Sequence, residues 1–248
     1  YVVARARTLN EIIAEVRQRS DMVNSDFVTD AELTRYINES ISELYDMLIA
    51  AKGQEWFIRE YTLTTLVNQD AYEIPEAEDF YILLGVDLNN SGSETPTPLR
   101  PYMLDERHDR LHYDARPYLY QNSTNLRYRL SGTVKATAPG IGTYNHRITF
   151  KPSPPAGLSI TLLYIPHAPV LVTGATDKWD GFNGWEEYVV VDSAIKCLEK
   201  EESSTIALER RKERLIQRIN GLASAHDDGF PERVTDVTGR IVNYPYDV

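Results

Sequence analysis

Phe27-Val-Thr-Asp-Ala-Glu-Leu-Thr-Arg-Tyr-Ile-Asn-Glu-Ser-Ile-Ser-Glu-Leu-Tyr-Asp46 is the stretch whose reading decides the fold. Thr29 followed by Glu32 is a capping box, and Val28 with Leu33 is the hydrophobic staple that goes with it. Ile37, Ile41, Leu44 and Leu48 continue an apolar stripe at helical spacing, while Glu39, Glu43 and Asp46 take the opposite face. The spacing predicts an amphipathic helix that Gly53 ends and that must pack on something. Upstream, Thr8 and Glu11 form a second capping box, with Leu9, Ile12, Ile13 and Val16 on one face.

Downstream, from residue 54 to about 175, the period changes to two. Tyr61-Thr-Leu-Thr-Thr-Leu-Val67, Asp79-Phe-Tyr-Ile-Leu-Leu-Gly-Val-Asp-Leu88, Leu126-Arg-Tyr-Arg-Leu130, Arg147-Ile-Thr-Phe-Lys151 and Ser159-Ile-Thr-Leu-Leu-Tyr-Ile165 read as strands. Turn chemistry at Asn89-Asn-Ser-Gly92 and Pro152-Ser-Pro-Pro-Ala-Gly157 separates them, and residues 101–120 are a less regular excursion. Helical periodicity returns at Asp180. Trp185, Tyr188, Val189, Asp192, Ile195 and Leu198 share a face, with Asp192 the odd member, and a last helix carries Ile206, Leu208, Leu215, Ile216, Ile219 and Leu222.

Helices at both ends around a β segment predict an α+β fold. Residues 1–53 and 178–226 form one helical bundle, 54–177 an inserted antiparallel β domain, and 227–248 an extended C-terminal arm. The arm has Pro231, Gly239 and Pro245 but keeps Ile241, Val242, Tyr244 and Tyr246 as adhesive side chains. No internal repeat or low-complexity tract is present.

The 248 residues are enough to bury a substantial core. The net charge of −11 argues against broad attraction to free nucleic acid or anionic membrane. By segment the charge is −3 over 1–53, −4 over 54–177, −4 over 178–202, +3 over 203–226 and −3 over 227–248. Only the last helix is basic, with Arg210, Arg211, Lys212, Arg214 and Arg218; Arg210, Arg214 and Arg218 make one stripe at four-residue spacing. A solvated face accounts for such a cluster, and so does contact with an acidic surface of a second copy. A single cysteine, Cys197, excludes an intrachain disulfide framework, and 16 Tyr against 6 Phe favour interfaces or half-buried sheets.

The start at Tyr1 has too few apolar residues in a row for a signal peptide, so no export is expected. The uncharged run 152–176 has the length of a membrane span but is broken by five prolines. His108 and His112 have a metal-ligand spacing on a helix, yet no third ligand is evident, and a solvated loop is the preferred reading. Cys197 has no partner base and reads as a buried or half-buried structural thiol. No serine-nucleophile elbow and no phosphate-binding glycine loop occurs, and the many acidic neighbours need no acid/base pair. The expectation is a protein that is not an enzyme and has no catalytic residue, cofactor or metal.

Two passages resemble one family. Thr8-Leu-Asn-Glu-Ile-Ile-Ala-Glu-Val-Arg-Gln-Arg-Ser-Asp-Met22 with Phe27–Asp46, and Gly184-Trp-Glu-Glu-Tyr-Val-Val-Val-Asp-Ser-Ala-Ile-Lys-Cys-Leu-Glu-Lys-Glu-Glu202 with its basic helix, look like head-to-tail adaptor (connector) proteins of tailed bacteriophages. The resemblance implies a virion structural protein, made in the host cytoplasm and sited in the neck. Its ring, usually dodecameric, lies beneath the portal protein, joins capsid to tail or nozzle proteins, and leaves a channel through which genomic DNA passes without sequence-specific binding. An acidic lining would let that DNA slide. Ile241, Val242, Tyr244 and Tyr246 become candidates for docking on the portal, and Arg210, Arg211, Arg214 and Arg218 for contact between subunits. The alternative expectation is a β-sandwich carbohydrate- or protein-binding module of a phage tail, with Tyr and Trp as platforms; a hydrolase using His108 or His112 is a third.

Overall fold

The computed structural model describes residues 6–23, 26–52, 57–75, 78–89, 96–104, 126–138 and 141–223. Gly53, His108 and His112, most of the 101–120 excursion and the arm 227–248 lie outside the described residues.

Both capping boxes form. Thr8 caps α1 (Leu9–Arg19), accepting from the Glu11 amide at 3.3 Å while the Glu11 carboxylate accepts the Thr8 amide at 2.7 Å. Thr29 and Glu32 repeat the exchange at 3.3 and 3.0 Å ahead of α2 (Asp30–Lys52). Each box satisfies amides that a helix start leaves without partners.

The sequence-predicted strands appear as β2 (Arg59–Thr64), β4 (Phe80–Asn89), β7 (Arg127–Ala138), β8 (Ile141–Lys151) and β9 (Ser159–Pro166). Short strands add β1 (Arg7–Thr8), β3 (Ala71–Glu73), β5 (Thr97–Pro98), β6 (Arg100–Pro101) and β10 (Lys178–Trp179). Two four-stranded sheets result, ordered β2-β9-β4-β5 and β3-β8-β7-β6, and β1 pairs with β10 apart from them. Among the described residues every pairing is antiparallel except the two-residue β6–β7 contact, which is parallel. The exception arises where the chain crosses from one sheet, at β5, to the other, at β6, around the buried Leu99.

The two sheets face each other across one apolar cluster. Leu63, Val86, Leu88, Ile160, Leu162 and Tyr164 come from the first sheet, and Tyr72, Ile148 and Phe150 from the second. Of the remaining helices, α3 (Gly181–Gly184) is a single turn, while α4 (Glu186–Lys200) and α5 (Ile206–Ala223) are long. A second cluster takes Leu9, Ile12 and Val16 from α1, Leu33 through Leu48 from α2, Val189, Val191, Ala194 and Cys197 from α4, and Leu215 and Ile219 from α5. The chain is therefore α+β, with helices from both ends of the sequence contributing to the same core.

Strands β9 and β4 belong to both clusters. On β9, Tyr164 enters the inter-sheet core and its neighbour Ile165 the helical one. β4 has register shifts between Phe80 and Ile82 and between Leu83 and Gly85. These bulges change the phase of the alternation, so that Ile82 and Leu84 pack toward the helices while Leu83 and Val86 pack between the sheets.

Candidate assembly surfaces

Helix α5 buries Leu215 and Ile219 against its neighbours. Lys212, from the same side, donates to Asp192 and lies 3.7 Å from Glu43 of α2. Arg211 pairs with Glu187 at the start of α4, and the Arg218 guanidinium lies 5.3 Å from the centre of the Trp185 ring. Two of the four predicted contact arginines are thus engaged within the chain. Arg210 and Arg214 are exposed and form no ion pair with any described residue; Arg214 Nε donates to the Arg210 carbonyl at 3.2 Å. Ile206, expected in the apolar stripe, is 58% exposed. At 100° per residue it lies roughly opposite Leu208 and Leu215, so it faces outward with Arg210 and Arg214.

Asp192, the odd member of the α4 stripe, is only 2% exposed. It accepts from Ser40 Oγ at 2.6 Å, lies 3.0 Å from Lys196 Nζ, and receives Lys212 from α5. Burial alone would raise its pKa, but the bonds from Lys212, Ser40 and Lys196 outweigh it and the carboxyl sits below its ordinary range. Lys212 responds the other way: burial opposes its charge, and the Asp192 carboxylate more than restores it. Burial, with Asp192 and Glu43 nearby, also raises the Tyr188 phenol. This network holds α2, α4 and α5 in one mutual register. Cys197 is fully buried, as expected, and burial pushes its thiol up to about 11.

On the far flank of α2 lies a feature without a signal in the sequence. The Asn38 side chain clamps the Leu171 backbone, accepting its amide at 2.9 Å and donating to its carbonyl at 2.8 Å. The Asp177 carboxylate accepts the next two amides, Val172 and Thr173, each at 2.8 Å. Leu171 turns inward, and Val170 and Val172 project outward, 67% and 74% exposed. Between this strap and α2 runs an open groove of about 450 Å³, lined by Ala31, Thr34, Arg35, Asn38, Ser42 and the strap. A larger, polar cleft of about 650 Å³ lies among Arg7, Glu15, Arg19, Glu186 and Glu187. Ion pairs Arg7–Glu15, Arg7–Glu186 and Arg19–Glu187 engage its charged side chains, while the buried Glu186 Oε2 accepts no hydrogen bond from any described residue.

Among the described residues no group of His, Cys, Asp and Glu is placed to hold a metal ion, and no helix is long and apolar enough to cross a membrane. Two of these surfaces are flanks of one helical core, one basic and one grooved.

The model of the SU10 adaptor protein family matches residues 7–230, nearly the whole chain. The chain belongs to that family. The resemblance to phage head-to-tail adaptors, noted on the helices alone, therefore extends across the β region. Membership makes the chain a phage structural adaptor and a neck component of the virion, and it implies contacts with portal and tail proteins. Structural adaptors of this kind are typically without enzymatic activity. No curated protein matches the chain.

Proposed function

We propose that this SU10-type adaptor, made in the host cytoplasm, assembles as a dodecameric ring beneath the portal, joins the capsid to tail or nozzle proteins, and leaves a channel for DNA. The observation that carries this reading is the family match over residues 7–230. The net charge of −11 supports it, since an acidic lining lets DNA pass without binding to its phosphates. Residues 1–53 and 178–226 act as one helical bundle, 54–177 as an inserted β domain, and 227–248 as an arm. The 19 residues from Phe230 to Val248, when extended, span roughly 60 Å, enough to leave their own subunit. Ile241, Val242, Tyr244 and Tyr246 dock on the portal, and the basic face of α5, centred on Arg210 and Arg214 with Arg211 and Arg218 beside it, contacts the next subunit.

Deleting Gly229 to Val248 tests the arm. The truncated protein is expected to keep its circular dichroism spectrum and lose portal binding; undiminished affinity overturns the arm assignment. Particle mass and electron micrographs of the adaptor with its portal test the ring, and a portal complex without a closed ring of adaptor copies overturns it.

A further inference from the structure

The groove between α2 and the 170–172 strap has geometry that fits the outward face of α5 on another copy. Around α2, Ser40 and Glu43 face α4 and α5, through Asp192, Lys196 and Lys212. Asn38 and Tyr45 face the strap and its approach, bonding Leu171 and Pro166. At 100° per residue these two sets lie roughly 140° to 160° apart. The groove and α5 therefore occupy opposite flanks of the same helix. Two unlike patches on opposite flanks are what a head-to-tail interface requires, and such an interface closes into a ring when its rotation divides the circle.

Both patches carry mixed charge that can pair: the groove holds Arg35 and Glu39, and the outward face of α5 holds Arg210 and Arg214 with the exposed Glu213 beside Ile206. The groove offers two rigid, exposed valines and small side chains at Ala31, Thr34 and Ser42 that leave room for a helix. Glu39 also lines it, and its two ion pairs, to Arg35 at 3.9 Å and Lys196 at 3.8 Å, are both long. α5 offers the exposed Ile206, then Arg210 and Arg214 without an acidic partner in their own chain among the described residues. The strap cannot recede to hide its valines, because Asn38 and Asp177 hold its backbone in place.

We propose that the groove receives α5 of a second copy, with Ile206 between Val170 and Val172 and with Arg210 and Arg214 against the Glu39 side of α2. This rests on the ring reading above and names the surface that the basic helix meets.

Disulfide trapping tests it, because the one native thiol, Cys197, is buried. The double variant Val172→Cys/Ile206→Cys, assembled on its portal and oxidised, should give a ladder of linked species extending beyond dimers, since each copy bonds to a different neighbour on each side. Neither single variant should give a ladder, and mixing the two single variants should give dimers only. Both positions are exposed, and unchanged melting of the isolated variants checks that the chain still folds. A ring that assembles on the portal without crosslinking overturns the groove assignment and leaves the ring standing. A double variant trapped only as dimers means a two-fold contact and also overturns it. Absence of any ring on the portal overturns the ring reading itself.

Discussion

Ser40 on α2 and Asp192 on α4, 152 residues apart in the chain, are joined by a 2.6 Å hydrogen bond in the interior of the helical core. Lys196 and Lys212 complete the shell around the carboxylate, so that a charge is kept in a buried place where an apolar residue would have packed. Removing the carboxylate leaves Lys196 and Lys212 only the Glu39 and Glu43 carboxylates, at 3.2 Å or more, and leaves Ser40 Oγ without this acceptor. Asp192→Ala is expected to cost about 3 kcal/mol, read as the free energy of urea unfolding at pH 7.

The same carboxylate makes stability depend on pH. Its pKa is held below the ordinary 3.8 in the folded chain, so the unfolded chain binds more protons in acid. The stabilisation is complete above that ordinary value and is lost as the pH falls through the folded one. Glu32 adds to the same slope, held down to about 2 by the bond from Lys200 and by the Thr29 amide. Between pH 5 and pH 2 the wild-type chain should lose stability more steeply than Asp192→Ala. Equal slopes in urea titrations would show that Asp192 is not the group responsible.

These contacts mark how far the sequence could be read. Thr8 with Glu11, and Thr29 with Glu32, were legible because a capping box is decided within four residues. Asp192 was visible as a polar residue on an apolar face, but Ser40 and Lys212 were not visible as its partners, because their meeting depends on how three helices cross. Ile206 belonged on the outward face by its own periodicity, half a turn from Leu215, yet its hydrophobicity invited the wrong assignment. The long strands were legible from alternation. Their order was not, since β5 and β6 are two residues each and the bulges in β4 break the period that reports which face is buried. The groove was hidden because the clamp from Asn38 to Leu171 spans 133 residues and uses a backbone segment with no motif.

Asn38→Ala removes both halves of that clamp. Two hydrogen bonds to a part-buried backbone disappear, a loss of about 1 to 3 kcal/mol. The change should be local. Hydrogen exchange at the Leu171 amide is expected to quicken while amides in the middle of α2 keep their protection; unchanged exchange at Leu171 would mean the strap is held by other contacts.

Gly181 is a position where a side chain has no room. Its φ is +67°, and an added Cβ would come within 2.6 Å of the Glu186 backbone nitrogen, at the start of α4. A backbone atom in a helix start cannot swing aside as a side-chain tip can. Gly181→Ala is therefore expected to destabilise by at least about 1 kcal/mol, whereas Gly132→Ala, with nothing within 4 Å, should have a smaller effect in the same thermal melt.

The sharing of β9 and β4 between the two clusters predicts that helices and sheets melt together. Phe150 is fully buried between the sheets, and Phe150→Ala should cost about 3 to 5 kcal/mol. At roughly 2 to 4 °C per kcal/mol for a chain of this size, the midpoint should fall by on the order of 10 °C. Trp179 and Trp185 both lie with the helical cluster, so in a Trp56→Phe background their fluorescence reports on that side of the molecule. If Ile165 and Tyr164, adjacent on β9, tie the two cores into one cooperative unit, the tryptophan transition must move down with the far-ultraviolet one. A fluorescence midpoint unmoved by Phe150→Ala would mean that the sheets can open while the helices stay packed, and the two clusters would then be separate folding units joined only through the backbone of β9 and β4.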